Sequence, residues 1–366
     1  MRVLQFAKRS VMTVAFISAT LAGCTDNSSP DAPFNPAGTS ADLDAVGSSF
    51  TSETFNSFAA LSIKFDAAIG GAPIISTSAA AMAIGRRGSS SNVRAAAVQS
   101  AQRLAGMMTR SAKQGAGISM MAIPSNVAGK TFEYDLATGA YVVSSRPLLA
   151  LNQVRFILYA VDPVTLAPVD PLVETGYVDL IDRSAGTTQA AEIVVVSGST
   201  TYLDYTITAT STASSGRVSV VGYVTDGLVQ ANVNLRSSIT FTGGLTLNYS
   251  LGVPDRGVAI DLTLTATDLA QQTGTLTVNL SLRGPNGTVG MTGQFTNTTG
   301  LLHVRINGQA FATVTTDGTT VTYTRDDGQP FSNDEAGAMT RVFELQAGAF
   351  IAFDQMLAPV GALFAT

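Results

Sequence analysis

Three segments decide the fold: Leu245-Thr246-Leu247-Asn248-Tyr249-Ser250-Leu251, Val258-Ala259-Ile260-Asp261-Leu262-Thr263-Leu264 and Leu276-Thr277-Val278-Asn279-Leu280-Ser281-Leu282. In each, apolar and polar side chains alternate strictly, the period of a strand with one face in a core and the other in water. Arg283-Gly284-Pro285-Asn286-Gly287 turns the chain out of the third, and Asn297-Thr298-Thr299-Gly300 makes the next turn, connections so short that their strands become antiparallel neighbours. The same period runs upstream through Leu203, Tyr205 and Ile207, then Val233 and Leu235, then Ile239 and Phe241. Downstream it continues through Val289, Met291 and Phe295, then Leu302, Val304 and Ile306, to Val321-Thr322-Tyr323.

The β pattern begins at Gly129. Thr131-Phe132-Glu133-Tyr134 and Tyr141-Val142-Val143 flank a short loop with Gly139 and read as a hairpin. Val154 to Val161 and Thr175 to Ile181 follow, joined by a turn through Asp162-Pro163 and Asp170-Pro171. Ile193-Val194-Val195-Val196 is continuously apolar and reads as a strand buried on both faces. The count reaches about a dozen strands or more in meander order, beyond what an open twisted sheet carries without curling. The expected fold is α+β, mainly β: a large curved antiparallel meander sheet, half-barrel-like, with N-terminal helices and a covering C-terminal helix.

Ahead of the sheet, Leu43, Val46, Phe50, Phe58, Leu61, Phe65 and Ile69 recur at three- and four-residue steps, with Phe55 taking the slot at Thr54, and predict one amphipathic helix over 41–69. Residues 70–92, with Arg86-Arg87-Gly88, read as a mobile linker, and 93–113 as a second, alanine-rich helix completing a helical N-terminal region over 41–128. The β domain spans 129–366. At its end Ser332 and Glu335 make a capping box, and Met339, Val342, Phe343, Phe350, Phe353 and Leu357 fall on one side of a helix over 332–358. This helix is expected to cover the concave apolar face.

At the N-terminus, Arg2, Lys8 and Arg9 precede an apolar run from Val11 to Leu21, too short to span a membrane, and Leu21-Ala22-Gly23-Cys24 follows with the chain's one cysteine. Residues 1–24 resemble a bacterial lipoprotein precursor, whose lipobox is a Leu, two small residues and a Cys that is acylated as the signal peptide is cut off. The resemblance implies a signal peptide over 1–23, lipidation at Cys24 and anchoring to a membrane. Thr25 after the cysteine implies the outer membrane, with the protein facing the periplasm or the cell surface. Residues 24–40, with Pro30, Pro33 and Pro36, read as a flexible tether.

Loss of 1–23 takes three of the 21 basic residues and leaves 18 against 26 acids, a net charge of −8. Nucleic acid is no partner for such a chain, because phosphate binding rests on clustered Lys and Arg. One histidine, and one cysteine committed to lipid, leave little for nucleophilic catalysis. His303 alternates with Leu302 and Val304 and reads as a solvated strand residue. No catalytic or phosphate-binding motif and no paired Cys or His ligands occur, so no enzyme activity and no cofactor are expected. Asp326, Asp327 and Asp334 gather enough oxygens to be candidates for a hard cation, although an acidic turn and an acidic helix start explain them without a metal. Met107-Met108 and Met120-Met121 read as core filling. Phe343, Phe350 and Phe353 are the candidate ligand contacts if the concavity holds a ligand.

The expected function is that of a lipid-anchored cell-envelope protein with a non-catalytic structural or interaction role. The alternative is a carrier or sensor of a lipid-like hydrophobic molecule held between the curved sheet and its helices. A transmembrane β-barrel fits the alternation less well, given the absence of tryptophan and the helical segments outside the β region.

Overall fold

Alternation in sequence becomes alternation in burial: in β8 (Gln230–Thr240), Ala231, Val233, Leu235, Ser237 and Ile239 are buried while Asn232, Asn234, Arg236 and Ser238 face water. The computed structural model describes residues 34–68, 123, 125–162, 165–186, 188–212, 214–240, 244–267, 274–296, 299–317, 321–342 and 356. Around β8 lie β1 (Thr131–Asp135), β2 (Ala140–Val143), β3 (Gln153–Tyr159), β4 (Glu174–Asp182), β5 (Gln189–Ser197), β6 (Thr200–Ser211) and β7 (Ser215–Thr225). Beyond it come β9 (Leu245–Val253), β10 (Val258–Ala266), β11 (Leu276–Gly284), β12 (Gly287–Phe295), β13 (Gly300–Ile306), β14 (Gln309–Thr316) and β15 (Val321–Arg325). All fifteen form one curved, open sheet with the order β15 to β3 in unbroken sequence, then β1 and β2. The α+β, mainly β, meander architecture expected from the alternation is the one observed.

Two features of the sheet depart from expectation. β3 pairs with β1 in parallel, Thr131 opposite Arg155 and Phe132 opposite Phe156, instead of continuing the meander beside β2. The loop after β2 is long enough to cross back, and it is pinned where Leu149 N–H donates to the Gly129 carbonyl and Gly129 N–H to that of Gln153. In β5, Ile193 and Val195 are buried but Val194 and Val196 are only half-buried. Val194 lies between Asp179 and Asp204 on the polar outer face, so the continuous apolar run is still a one-sided strand.

The helix expected over 41–69 is two helices, α1 (Pro36–Ser49) and α2 (Glu53–Ala68). Gly47-Ser48-Ser49 are poor helix formers, and Ser52 restarts the helix by accepting the Phe55 N–H at 3.2 Å. α1 begins inside the expected tether: Asn35 caps it through the Gly38 N–H at 3.0 Å, and Pro36 supplies the fixed φ of a first helical turn.

α1 crosses the rim of the sheet where alternate hairpin turns emerge. At its start, Asn35 N–H donates to the Asn286 carbonyl of the β11–β12 turn, and Asn286 Nδ2 donates to Asp42 at 2.6 Å. At its end, Ser48 Oγ donates to Asp226 at 2.8 Å and Ser49 Oγ to the Val229 carbonyl, both in the β7–β8 turn. Arg256, in the β9–β10 turn between them, lies 4.0 Å from Asp42. α2 packs over β2, β3, β4 and β5, and its Phe58 meets the Tyr205 ring of β6 edge-on at 6.5 Å.

At the other end of the chain, Ser332 and Glu335 form the expected capping box: Glu335 N–H donates to Ser332 Oγ at 3.2 Å, and Ser332 N–H to Glu335 Oε2 at 2.8 Å. The helical stretch over 333–342 buries Ala338, Met339 and Val342. Met356 is buried too, and its carbonyl accepts the Tyr205 hydroxyl at 2.9 Å, fixing the C-terminal segment to the middle of the sheet. The expected signal peptide over 1–23, Cys24, the expected linker over 70–92, the expected helix over 93–113 and the methionine pairs lie outside the described residues.

Candidate functional site

The inner face is built of rows in which each residue stands directly opposite the next. One row reads Ile207, Val220, Leu235, Tyr249, Leu262, Leu280, Met291, Val304 and Ala312, from β6 to β14. The neighbouring row reads Ala209, Val218, Ser237, Leu247, Leu264, Val278, Gly293, Leu302 and Val314. Neither contains a charged side chain. Close opposition of branched and aromatic groups stabilises each pair by about 0.2–1 kcal/mol beyond alanine.

Two glycines on this face let the strands approach and the sheet bend. A Cβ added at Gly222 would overlap the Asp204 carbonyl oxygen, and one at Gly293 would overlap that of Leu301. Glycine kinks on the inner face are a device by which a wide sheet curls around its apolar side.

The polar groups on this face are few. The Tyr205 hydroxyl is committed to the Met356 carbonyl, and burial pushes both Tyr205 and Tyr249 up, keeping them neutral. Ser237 is 1 % exposed, and its hydroxyl has no hydrogen-bond partner. Since a buried hydroxyl without a partner is costly, this side chain is the anomaly of the face. The sequence carried its signal: Val233, Leu235 and Ile239 mark position 237 as an inward slot, and a serine occupies it.

The outer face is polar and cross-linked. Arg155 donates two hydrogen bonds to Asp179, each at 2.6 Å, and stacks over the Tyr177 ring at 3.8 Å. Arg146 joins Glu133 and Glu174, and Arg283 pairs with Asp261. Burial, with the Glu192 carboxylate nearby, pushes Asp204 up. His303 is exposed on this face, between Thr292 and Thr313 of the neighbouring strands.

The candidate cation ligands are held apart by other bonds. Arg325 donates to Asp327 through Nε and Nη2 and to Glu335 through Nη1, while Asp326 accepts from Thr313 Oγ1 at 3.2 Å. Arg325 holds Asp327 below the usual carboxylate range, and Asp334 is exposed on the first turn of the helix. Among the described residues, no three Asp, Glu, His or Cys side chains are grouped to hold a metal ion. Phe343, Phe350 and Phe353 lie outside the described residues; Met339, Val342 and Met356, nearby in sequence, are buried in the same apolar core as the inner face. Among the described residues, no helix is long and apolar enough to cross a membrane. Comparison with protein-family models, with curated proteins and with solved structures finds no match to this chain.

Proposed function

We propose that this protein is a lipid-anchored component of the bacterial cell envelope, tethered to the outer membrane through Cys24, and that it acts without catalysis as a holder of a lipid-like hydrophobic ligand. The observation that carries the ligand reading is the uncharged inner face from β6 to β14, nine strands wide, whose apolar side chains share one core with Met339, Val342 and Met356. Faces of this kind suit acyl chains, which bind through apolar area and shape and need few polar contacts. The anchor rests on the lipobox-like Leu21-Ala22-Gly23-Cys24 behind a basic and apolar leader. A purely structural envelope protein is the competing reading, favoured by the complete burial of most inner side chains.

Two measurements separate these readings. Cys24→Ser is expected to move the protein from the membrane fraction to the soluble fraction, whereas continued membrane residence of that variant would remove the anchor. Native mass spectrometry of the purified protein is expected to show co-purifying acyl lipid. A lipid-free protein would leave only the structural role.

A further inference from the structure

Resting on the ligand-holding reading, we infer that Ser237 is the polar contact point of the inner face, and that it recognises a single uncharged oxygen function, an ester carbonyl or an alcohol, on a long-chain ligand. The hydroxyl points from β8 into the apolar side of the sheet, with Val218 and Leu247 across the strands and Leu235 and Ile239 along its own. It is enclosed and has no partner, although every other position of its row carries an apolar side chain or, at Gly293, none. A valine or an alanine would fill the slot without leaving an unsatisfied group.

The chemistry of the partner follows from its surroundings. The inner positions of β6 to β13 include no Lys, Arg, Asp or Glu, so an ionised carboxylate or phosphate brought to Ser237 would lose its hydration and gain one hydrogen bond and no countercharge. A neutral ester or alcohol loses far less and can accept the serine proton or donate to its oxygen. The Tyr205 hydroxyl on the same face is occupied by Met356. The ligand is therefore a neutral acyl ester or fatty alcohol whose chain lies along the rows and whose oxygen meets Ser237.

The test is equilibrium binding of radiolabelled methyl palmitate, palmitate and hexadecane to the full chain in one fixed detergent, for the wild type, Ser237→Ala and Ser237→Thr, with thermal unfolding confirming that each is folded. One buried hydrogen bond corresponds to about a five- to tenfold change in affinity. Methyl palmitate is expected to bind Ser237→Ala about five- to tenfold more weakly than the wild type, hexadecane to bind both alike, and Ser237→Thr to keep the ester preference. Unchanged ester binding in Ser237→Ala, or an equal loss for ester and alkane, overturns the role of Ser237 while leaving a ligand-holding face. Palmitate bound more tightly than its methyl ester overturns the neutral ligand. A wild type that binds none of the three overturns both this inference and the reading beneath it.

Discussion

A side chain at Gly222 has nowhere to go, because its Cβ would occupy the place of the Asp204 carbonyl oxygen on the neighbouring strand. Gly222→Ala is expected to destabilise the protein by about 1–3 kcal/mol, the range for forcing extra atoms into a packed interior. Gly252, on β9, has open space where its Cβ would stand, so Gly252→Ala should stay within about 0.5 kcal/mol of the wild type in the same denaturant titration. Two glycines in similar alternating strands thus differ in consequence, a difference invisible in sequence because it depends on how closely the next strand approaches. Asp226 contributes through its charge. Burial raises its pKa, but the Val229 and Leu228 amides and the Ser48 hydroxyl outweigh this and hold it below its ordinary 3.8. A depressed carboxylate stabilises the fold fully above its unfolded pKa and loses that contribution as pH falls through the folded value. The stability advantage of the wild type over Asp226→Asn should therefore be present at neutral pH and vanish on acidification below about pH 3.8, measured by denaturant unfolding across that window. Asp226 stands in the β7–β8 turn. Its grip on Ser48, 178 residues away, could not be read from the sequence.

At the scale of elements, the Tyr205–Met356 hydrogen bond ties the C-terminal segment to β6. Tyr205→Phe removes the donor and orphans a buried carbonyl, and a loss of about 1–3 kcal/mol is expected in denaturant unfolding. Deleting 332–366 exposes the apolar surface that Met339, Val342 and Met356 cover and should produce binding of a hydrophobic dye; a truncated protein that binds none would show that the sheet does not need this cover. The capping box was plain in Ser332 and Glu335 because it is a local motif with a fixed spacing. The division into α1 and α2 was not legible, since the slip of the apolar pattern from Thr54 to Phe55 is accommodated within one helix and the break falls before it. A 3.6-residue period interrupted by one position reads equally as an irregular helix or as two helices, and only the Ser52 cap decides.

Across the whole molecule, the sheet was legible because nearly every strand is one-sided and its turns are short, so burial and neighbour order follow from the alternation. The parallel β1–β3 pair was not, because the loop after β2 is long enough to permit either edge and its choice depends on backbone bonds to Gly129. An open sheet of this width has its backbone bonds least protected at its edges, β2 and β15, and most protected at its centre. Amide hydrogen exchange should accordingly be slowest in β7 to β9 and fastest in β15 and β2. Uniform exchange along the sheet would show that it opens as a single unit instead.

α1, reaching from the β11–β12 turn to the β7–β8 turn, gives the fold a mechanical property. A pull on the chain ahead of Phe34 is delivered to several hairpins side by side instead of peeling one edge strand from the next. Tension applied there is thereby spread across the middle of the sheet, where rupture requires many bonds to fail together.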